Sequence, residues 1–330
     1  MTPTVRLLVT IDTEEDNWIP TRQRITVQNI RHLSGLQAVL DRYGAHPTYL
    51  TTYQVAIIPW AADILRAIAE SGRAEIGAHL HPWNTPPTPE PVNEWTVGWK
   101  DLPEHLQRLK LETITRTLGA AMGRQPTCFR SGRWSVSGQA LALLPAQGYR
   151  TDSSVLPYYY WHDVVGGPSF PRAPVTPYFP SLEDDIQRQE RSGPIVEIPA
   201  TVGYRRWPWK VQGVVDRLVR SPVPRALRLS GLAARVGQLD RIALSPELST
   251  DEELRRLTDI SLRHEIGTLN LFLHSSVLLP GATPYTASPD GVQVLLARID
   301  AWLGYLHRGC QVEHVTLSEA GNQFREETSA

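Results

Sequence analysis

Two histidines separated by a single residue, His79 and His81, are the strongest candidates for chemistry in the sequence. They follow a short apolar segment at 75–78 that is typical of the end of a buried strand. In an extended backbone, side chains two positions apart point to the same side, so both imidazoles can approach one metal ion. A single histidine is more often a polar surface or core residue than a ligand. The pair therefore predicts a metal site on the condition that a carboxylate elsewhere completes it.

Four acidic residues follow the first predicted strand. The segment 5–11, VRLLVTI, is apolar and rich in β-branched residues, which is typical of a strand buried on both faces of a parallel sheet. The two-residue period places Asp12 and Glu14 on one face, so Glu14 could join the histidines while Asp12 lies beside them. Glu15 or Asp16 could replace Glu14 if the strand has already bent. An acidic turn that merely ends a strand is an equally good interpretation of these residues alone.

The chain alternates between strand and helix patterns, which predicts an α/β fold of parallel strands. Further strands are expected at 47–52, 75–78, 126–130, 149–153, 195–199, 269–274 and 312–317. Helices are expected at 27–43, from Pro59 to before Gly72, and at 101–122, 137–147, 250–265 and 290–307. The tail from Glu319 is rich in glutamate, and we expect it to fray.

Two irregular segments interrupt this alternation. Residues 82–103 are rich in proline and tryptophan and predict a structured binding loop over the strand ends. Residues 156–245 predict an insertion or cap, within which 203–241 is basic and carries amphipathic helical patterns. A solvated helical face is the first interpretation of that basic stretch, and peripheral contact with an anionic substrate or membrane surface is the alternative.

The composition narrows the class of protein. The chain has 330 residues, 41% hydrophobic content and a formal net charge of −1, so charge alone gives no reason to expect nucleic-acid binding. The two cysteines, Cys128 and Cys310, do not form a disulfide framework, which favours a reducing compartment. No apolar run is long enough for a transmembrane segment, and we expect a soluble, cytoplasmic protein.

Six polar residues fall at the carboxyl ends of predicted parallel strands: Asp12, His79, His81, Arg130, Asp152 and His274. Ligands bind at this edge of α/β sheets and barrels. We therefore expect these side chains to form one site.

The site residues resemble the motifs of the NodB-homology polysaccharide deacetylases, carbohydrate esterase family four. The matching segments, in the family's order, are T-I-D-T-E-E-D at 10–16, E-I-G-A-H at 75–79, F-R-S-G-R-W at 129–134, T-D-S-S-V at 151–155 and L-H at 273–274. The resemblance covers about residues 4–275, although 156–245 has no counterpart that we can assign. It implies a distorted, partly open (β/α) barrel of about seven parallel strands with a helical insertion, forming a single domain over 1–330.

Two departures from the family pattern concern the residues around the metal. The family usually spaces its two histidines four apart, but position 83 is Trp, so the second ligand is expected to be His81. Where the third motif usually has Pro-Pro-Tyr after its arginine, this chain has Ser131, Gly132 and Arg133. A similar divergent set occurs in branches linked to lipopolysaccharide or capsule biosynthesis.

The resemblance implies a divalent metal, expected to be zinc, held by Glu14, His79 and His81. Asp12 is expected to accept a proton from water and Arg130 to keep it ionised. His274 is expected to protonate the leaving amine, with Asp152 as the partner that keeps it cationic. Arg130 could instead form a structural ion pair, and Asp152 could simply cap the next turn.

A carbohydrate is the expected substrate. Trp83, Arg133 and Trp134 are its candidate binding residues, and a backbone N–H near Arg133 or Trp134 is expected in the oxyanion hole. Trp95, Trp99 and the aromatic segment at 158–161 are further candidate stacking platforms. The primary hypothesis is a carbohydrate de-N-acetylase. The alternative is a non-catalytic carbohydrate-binding or assembly protein on the same fold, and a hydrolase of another bond ranks third.

Overall fold

The fold was analysed in a computed structural model, which describes residues 2–17, 19–160, 167, 169–183, 185–204 and 241–329. About half of the predicted cap therefore lies outside the described residues, including 205–240 of its basic stretch. The strands are β1 Thr4–Thr13, β2 Thr48–Thr51, β3 Glu75–Leu80, β4 Cys128–Ser131, β5 Thr151–Asp152, β6 Phe179–Pro180, β7 Gln189–Glu190, β8 Val196–Glu197, β9 Val202–Tyr204, β10 Arg241–Ala243, β11 Thr268–His274 and β12 Gln311–His314.

Helices alternate with these strands as expected. They are α1 Leu33–Asp41, α2 Tyr53–Ala56, α3 Pro59–Glu70, α4 Glu104–Met122, α5 Gly138–Leu141, α6 Asp251–Arg263, α7 Pro289–Gly309 and α8 Leu317–Ser329. Short 3-10 turns span Gln28–His32, Trp99–Asp101, Gly132–Trp134, Pro145–Gln147 and Ser275–Leu278. None of the helices in the described parts of the chain combines the length with the apolar sequence needed to span a bilayer.

Seven parallel strands form a curled, open sheet in the order β11-β1-β2-β3-β4-β5-β8, and β12 pairs with the start of β1. The gap between the two edge strands is bridged near Asn270 of β11. The Thr201 backbone N–H donates to the Asn270 carbonyl at 3.2 Å, and the Asn270 N–H donates to the Thr201 hydroxyl at 2.8 Å. The predicted partly open barrel is thus confirmed.

Strand β1 is an interior strand of this sheet, and most of its residues are buried. It pairs with β11 on one side and β2 on the other. The register places Asp12 directly beside His274 of β11. Two groups that are far apart in the sequence are therefore brought together by strand pairing alone.

The expectation for the C-terminal tail was wrong. Residues from Leu317 to Ser329 form α8, which buries Leu317 and Ala320 against the sheet. Farther along, Phe324 packs on Phe179 with ring centroids 5.2 Å apart, and Arg325 donates hydrogen bonds to the carbonyls of Gly193 and Pro194. These apolar contacts and hydrogen bonds hold the acidic helix in place.

The helix expected at 137–147 is interrupted. Ser137 caps α5 through a hydrogen bond from the Ala140 N–H at 3.2 Å, but α5 ends at Leu141. A separate 3-10 turn begins at Pro145, whose ring nitrogen cannot continue the helical hydrogen bonds. By contrast, α6 begins as expected, with a reciprocal cap between Thr250 and Glu253.

Candidate metal centre and active site

The carboxyl ends of β1, β3, β4 and β11 meet at one edge of the barrel, where they surround a cavity of about 350 Å³. The register aligns Asp12 with His274 across one strand pair and His79 with Arg130 across another. The cavity lining includes Asp12, Glu14, His79, His81, Arg133 and His274. The structure thus brings together most of the polar residues singled out in the sequence.

Glu14, His79 and His81 form a compact set of candidate metal ligands. The two Nε2 atoms of the histidines are 3.1 Å apart, and Glu14 Oε2 lies 3.3 Å from Nε2 of His81 and 3.8 Å from Nε2 of His79. An ion bound at about 2.0–2.2 Å by nitrogen and oxygen ligands keeps those ligands roughly 3–4 Å apart. All three side chains are buried, so this donor set fits a divalent ion.

Gly132, in the turn after β4, leaves room for the His81 ring. A Cβ atom at Gly132 would lie 2.5 Å from Cδ2 of His81 and 2.8 Å from the Leu80 carbonyl oxygen. On its other side, the His81 ring stacks on Trp83 with centroids 4.1 Å apart. The two departures from the family motifs are therefore linked, because the glycine at 132 leaves the space into which the closer-spaced histidine fits.

Each histidine makes a contact through Nδ1 that leaves Nε2 directed at the site. Nδ1 of His79 lies 3.1 Å from the Arg130 carbonyl oxygen, and Nδ1 of His81 lies 2.8 Å from Glu15 Oε1. A partner at the second ring nitrogen fixes the tautomer and orientation of a metal-binding histidine.

The choice among the acidic residues after β1 follows from their contacts. Glu15 orients His81, and its other oxygen accepts a hydrogen bond from the Thr52 hydroxyl at 3.0 Å. Asp16 accepts hydrogen bonds from the backbone N–H groups of Gln28 and Asn29, at 2.7 and 2.9 Å. Glu14 is therefore the carboxylate that faces both Nε2 atoms.

The pKa values of the two histidines are shifted in opposite directions. Burial lowers the pKa of His79 to about 3, so its imidazole is neutral, the form that binds metals. Burial also opposes the charging of His81, but the carboxylates of Glu15 and Glu14 outweigh it and raise the pKa of His81 to about 9. The site thus favours a positive charge where the two carboxylates converge.

Asp12 and Arg130 form a buried ion pair, with 2.7 Å between Oδ1 and Nη1. Further donors of Arg130 bind the Ser153 carbonyl oxygen at 2.7 Å and the Thr10 hydroxyl at 2.9 Å, which fixes the guanidinium. Burial opposes the ionisation of Asp12, but the positive charges of Arg130 and His274 help to outweigh it, and the pKa of Asp12 is lowered to about 2. Its second oxygen, Oδ2, faces the Nε2 atoms of His79 and His274 at 3.8 and 3.7 Å.

His274 is held by Glu247, which sequence analysis missed. Nδ1 of His274 lies 2.5 Å from Glu247 Oε1, and its backbone N–H donates to Glu247 Oε2 at 3.1 Å. Burial opposes the charging of His274, but Glu247 and the other nearby carboxylates outweigh it and raise the pKa of His274 to about 10. Glu247 lies in the turn S-P-E-L-S at 245–249, where no spacing pattern marks it as a site residue.

The expected pair between Asp152 and His274 is not formed. Asp152 accepts hydrogen bonds from the hydroxyl of Ser154 at 2.7 Å and from its backbone N–H at 3.2 Å, so it caps the turn after β5. It also lies beside Glu197 of β8 in the sheet register. Asp152 therefore faces Ser154, and the acidic partner of His274 is Glu247 in the turn after β10.

Aromatic side chains form much of the cavity wall: Trp83, Trp134, Tyr159, Phe272 and Tyr285. Trp95 and Trp99, two of the expected stacking platforms, do not line it. Trp95 is exposed, and Trp99 is fully buried against Phe129.

Arg133 and Trp134 also line the cavity, on the turn after β4. Their φ angles are 57° and 56°, in the left-handed region that costs a non-glycine residue roughly 1–2 kcal/mol. This turn departs from regular structure at the point where it enters the site, as strained segments at ligand sites often do.

No family model matches the sequence, and no curated protein matches it at a significant level. Solved structures do share the fold. A Mycobacterium smegmatis protein provisionally named a polysaccharide deacetylase superposes with a TM-score of 0.57 and 15% identity, covering 99% of this chain and 91% of that one. A Parabacteroides distasonis protein provisionally named a glycoside hydrolase or deacetylase gives 0.60 and 14%, covering 98% and 72%. An allantoinase gives 0.55 and 13%, covering 98% and 90%.

At these identities the likeness concerns the fold. The chain has the distorted barrel found in proteins named polysaccharide deacetylases, which is the fold that the five sequence motifs implied. The motif residues converge at the carboxyl edge of that barrel, with Glu247 in the place expected for Asp152.

Proposed function

We propose that this protein is a metal-dependent hydrolase that removes an N-acyl group, in the first instance N-acetyl, from a sugar or polysaccharide precursor. The observation that carries the proposal is the convergence of Glu14, His79 and His81 beside two charged pairs, Asp12–Arg130 and His274–Glu247. The shared fold with proteins named deacetylases supports it.

Glu14, His79 and His81 would hold the ion. Two imidazoles and one carboxylate suit zinc and other first-row divalent metals, and we propose zinc. A bound ion of this kind supplies a water molecule of lowered pKa and polarises the acyl carbonyl.

Asp12 is the proposed general base. Its low pKa keeps it ionised at neutral pH, and the pair with Arg130 occupies one oxygen while Oδ2 faces the cavity. Asp12 would accept the proton of the attacking water at that free oxygen.

His274 is the proposed general acid. Its Nδ1 is held by Glu247, which leaves Nε2 directed at the cavity, 3.7 Å from Oδ2 of Asp12. With a pKa of about 10, the imidazolium is protonated at neutral pH and would donate the Nε2 proton to the leaving amine. The base and the acid thus stand side by side at the cavity.

The aromatic part of the cavity wall suits a sugar ring. Trp83 and Trp134 line the cavity, and aromatic side chains of this kind pack against the apolar faces of sugars. Trp83 is also fixed by its stack on His81, so substrate packing and the candidate metal centre share one side chain.

Elemental analysis and a deacetylation assay test the proposal together. The protein purified without chelator is expected to contain about one divalent ion per chain and to release acetate from one or more N-acetyl sugars. Because His79 is a proposed ligand, His79→Ala should lose both properties, whereas Asp12→Asn should lose activity and keep its metal. An exposed control, Glu94→Gln, should keep both.

The alternative of a non-catalytic sugar-binding protein makes a different prediction. It expects sugar binding with no metal and no acetate release. Stoichiometric metal with Asp12-dependent acetate release would exclude it, whereas folded, metal-free and inactive protein that binds sugar would refute the hydrolase proposal.

A further inference from the structure

Arg133 is a cavity-lining cation without a described partner. Its Nε is buried and has no hydrogen-bond partner among the residues that the structure describes, and within those residues no acidic side chain pairs with it. Burial lowers the pKa of Arg133, and no neighbouring charge contributes to this shift. An arginine that gives up solvent normally finds a hydrogen-bonding or charged partner.

The other charged groups of the cavity differ from Arg133 in this respect. They form the contacts Asp12–Arg130, Glu14–His81 and His274–Glu247. Arg133 thus adds a positive charge to the cavity wall that no described side chain offsets.

The backbone presents Arg133 in a defined way. It follows Gly132, whose close approach to His81 fixes the start of the turn beside the candidate metal centre. Arg133 and Trp134 then adopt left-handed φ angles of 57° and 56°, a conformation that persists in non-glycine residues where the surroundings enforce it. The cation and an aromatic face therefore enter the cavity from the same short turn.

We propose that Arg133 binds an acidic substituent of the sugar substrate, a carboxylate or a phosphate, so that the protein prefers an acidic N-acyl sugar to its neutral counterpart. This inference rests on the proposed hydrolase function and specifies its substrate class. The planar guanidinium matches the oxygens of either anion through paired N–H donors, and an aromatic side chain beside it suits the ring that carries the anion.

A different role would have a different kinetic signature. If Arg133 stabilised negative charge developing on the acyl oxygen, its loss would slow neutral and acidic substrates by the same factor, mainly in kcat. An anchor for a remote acidic group affects only substrates that carry the group, mainly through KM.

Matched pairs of substrates separate these roles. N-Acetylgalactosaminuronic acid and N-acetylgalactosamine differ in a carboxylate, and N-acetylglucosamine 6-phosphate and N-acetylglucosamine differ in a phosphate. The wild type is expected to favour the acidic member of one pair, and that pair identifies the anion. Arg133→Gln should lower the acidic-to-neutral ratio of kcat/KM roughly 10- to 100-fold, the effect of losing a charged hydrogen bond. Arg133→Lys should retain part of the preference for the acidic substrate.

The matched control is Arg116→Gln, an exposed residue of α4, which should leave the ratio unchanged. No acidic preference in the wild type, or an equal loss of both members of each pair in Arg133→Gln, would overturn the inference. Circular dichroism and the melting temperature establish that the variant is folded.

A binding measurement keeps this inference separate from the proposed hydrolysis. Calorimetry with methyl glucuronide, glucose 6-phosphate and methyl glucoside needs no turnover. If one acidic probe binds more tightly and Arg133→Gln loses this preference, the anion site is supported even when no sugar is deacetylated. The absence of deacetylation would refute the hydrolase proposal alone. Equal binding of the acidic and neutral probes would refute the anion site, whatever the activity.

Discussion

Gly132 and His81 depend on each other at the residue scale. A methyl group at 132 would meet the His81 ring at 2.5 Å and the Leu80 carbonyl oxygen at 2.8 Å, and the backbone atom cannot yield. We therefore expect Gly132→Ala to displace His81 and weaken metal binding roughly 10- to 100-fold, the usual effect of disturbing the groups that support a ligand. Titration with a competing chelator measures the affinity.

The control for this substitution is Gly35→Ala in α1. No atom lies within 4 Å of a Cβ at that position, and alanine favours the helix by up to about 1 kcal/mol. We expect unchanged metal affinity and equal or higher stability. A Gly132→Ala protein that binds metal like the wild type would show that His81 has another way to fit.

Glu247 sets the charge of His274. Because Glu247 raises the pKa of His274, Glu247→Gln should lower that pKa, so that the imidazole loses its proton at a lower pH. The acid form is needed for the proposed proton donation, and activity should therefore decline earlier on the alkaline side and fall about tenfold or more at neutral pH.

A pH–rate profile checks this shift. Glu252→Gln, an exposed acid in the first turn of α6, serves as the control and should leave the profile unchanged. An unaltered alkaline limb in Glu247→Gln would mean that His274 does not act as the acid.

At the scale of elements, the loop after β3 is held down by one buried lysine of α4. Lys110 Nζ donates to the carbonyl oxygens of Pro82 at 2.8 Å and Thr85 at 2.9 Å, and pairs with Glu90 at 2.9 Å. Arg22 binds the same oxygen of Glu90, Oε1, at 3.1 Å. These contacts fix the segment that carries Trp83 beside the site.

Lys110→Met should therefore destabilise the protein by about 3–5 kcal/mol, because it leaves a carboxylate and carbonyl groups without their buried partner. Urea unfolding measures the loss, and limited proteolysis is expected to show new cleavage within residues 82–103. Arg108→Gln removes an exposed pair on the same helix and should cost about 1 kcal/mol or less. Similar losses of stability for both variants would show that Lys110 does not hold the loop in place.

Elements were predictable where one physical pattern dominated. The apolar run of β1 and the capping residues of α6 specified those elements locally. Helix α8 was missed because its many acidic residues suggested a solvated tail, while its stability comes from Leu317, Ala320 and Phe324 meeting a sheet that no local pattern describes.

The same division applies to the site. His79, His81 and Glu14 could be predicted because strand periodicity fixes which side chains share a face. Glu247 could not, since it reaches His274 from a turn whose position depends on how the chain crosses the open side of the barrel. The predicted pair between Asp152 and His274 was wrong for the opposite reason, because a local hydrogen bond joins Asp152 to Ser154.

At the scale of the whole molecule, the sheet contains two neighbouring buried acids, Asp152 and Glu197. Burial and the charge of Asp152 raise the pKa of Glu197 well above its ordinary value. The folded state therefore holds a proton that the unfolded chain releases above about pH 4.3, so stability falls as the pH rises beyond that value.

Glu197→Gln should remove this dependence. The amide oxygen can still accept the hydrogen bond from the Val155 N–H, which is 3.0 Å long in the wild type. We expect the melting temperature of the variant to fall less between pH 5 and pH 8, because these pH values lie above the ordinary pKa of a glutamate. Glu94→Gln, at an exposed position, should follow the wild-type curve. Parallel curves for Glu197→Gln and the wild type would contradict the assignment.

The pairing of β1 with strands far along the chain also affects how the protein folds during synthesis. Strand β1 leaves the ribosome well before its neighbours β11 and β12, which begin at residues 268 and 311. Such distant pairing slows folding and leaves apolar strand edges exposed during synthesis. The nascent chain is therefore expected to need chaperone protection until β11 has been made. The acid–base pair of Asp12 and His274 forms only after residue 274 has been made, so a chain that stops before it cannot carry out the proposed reaction.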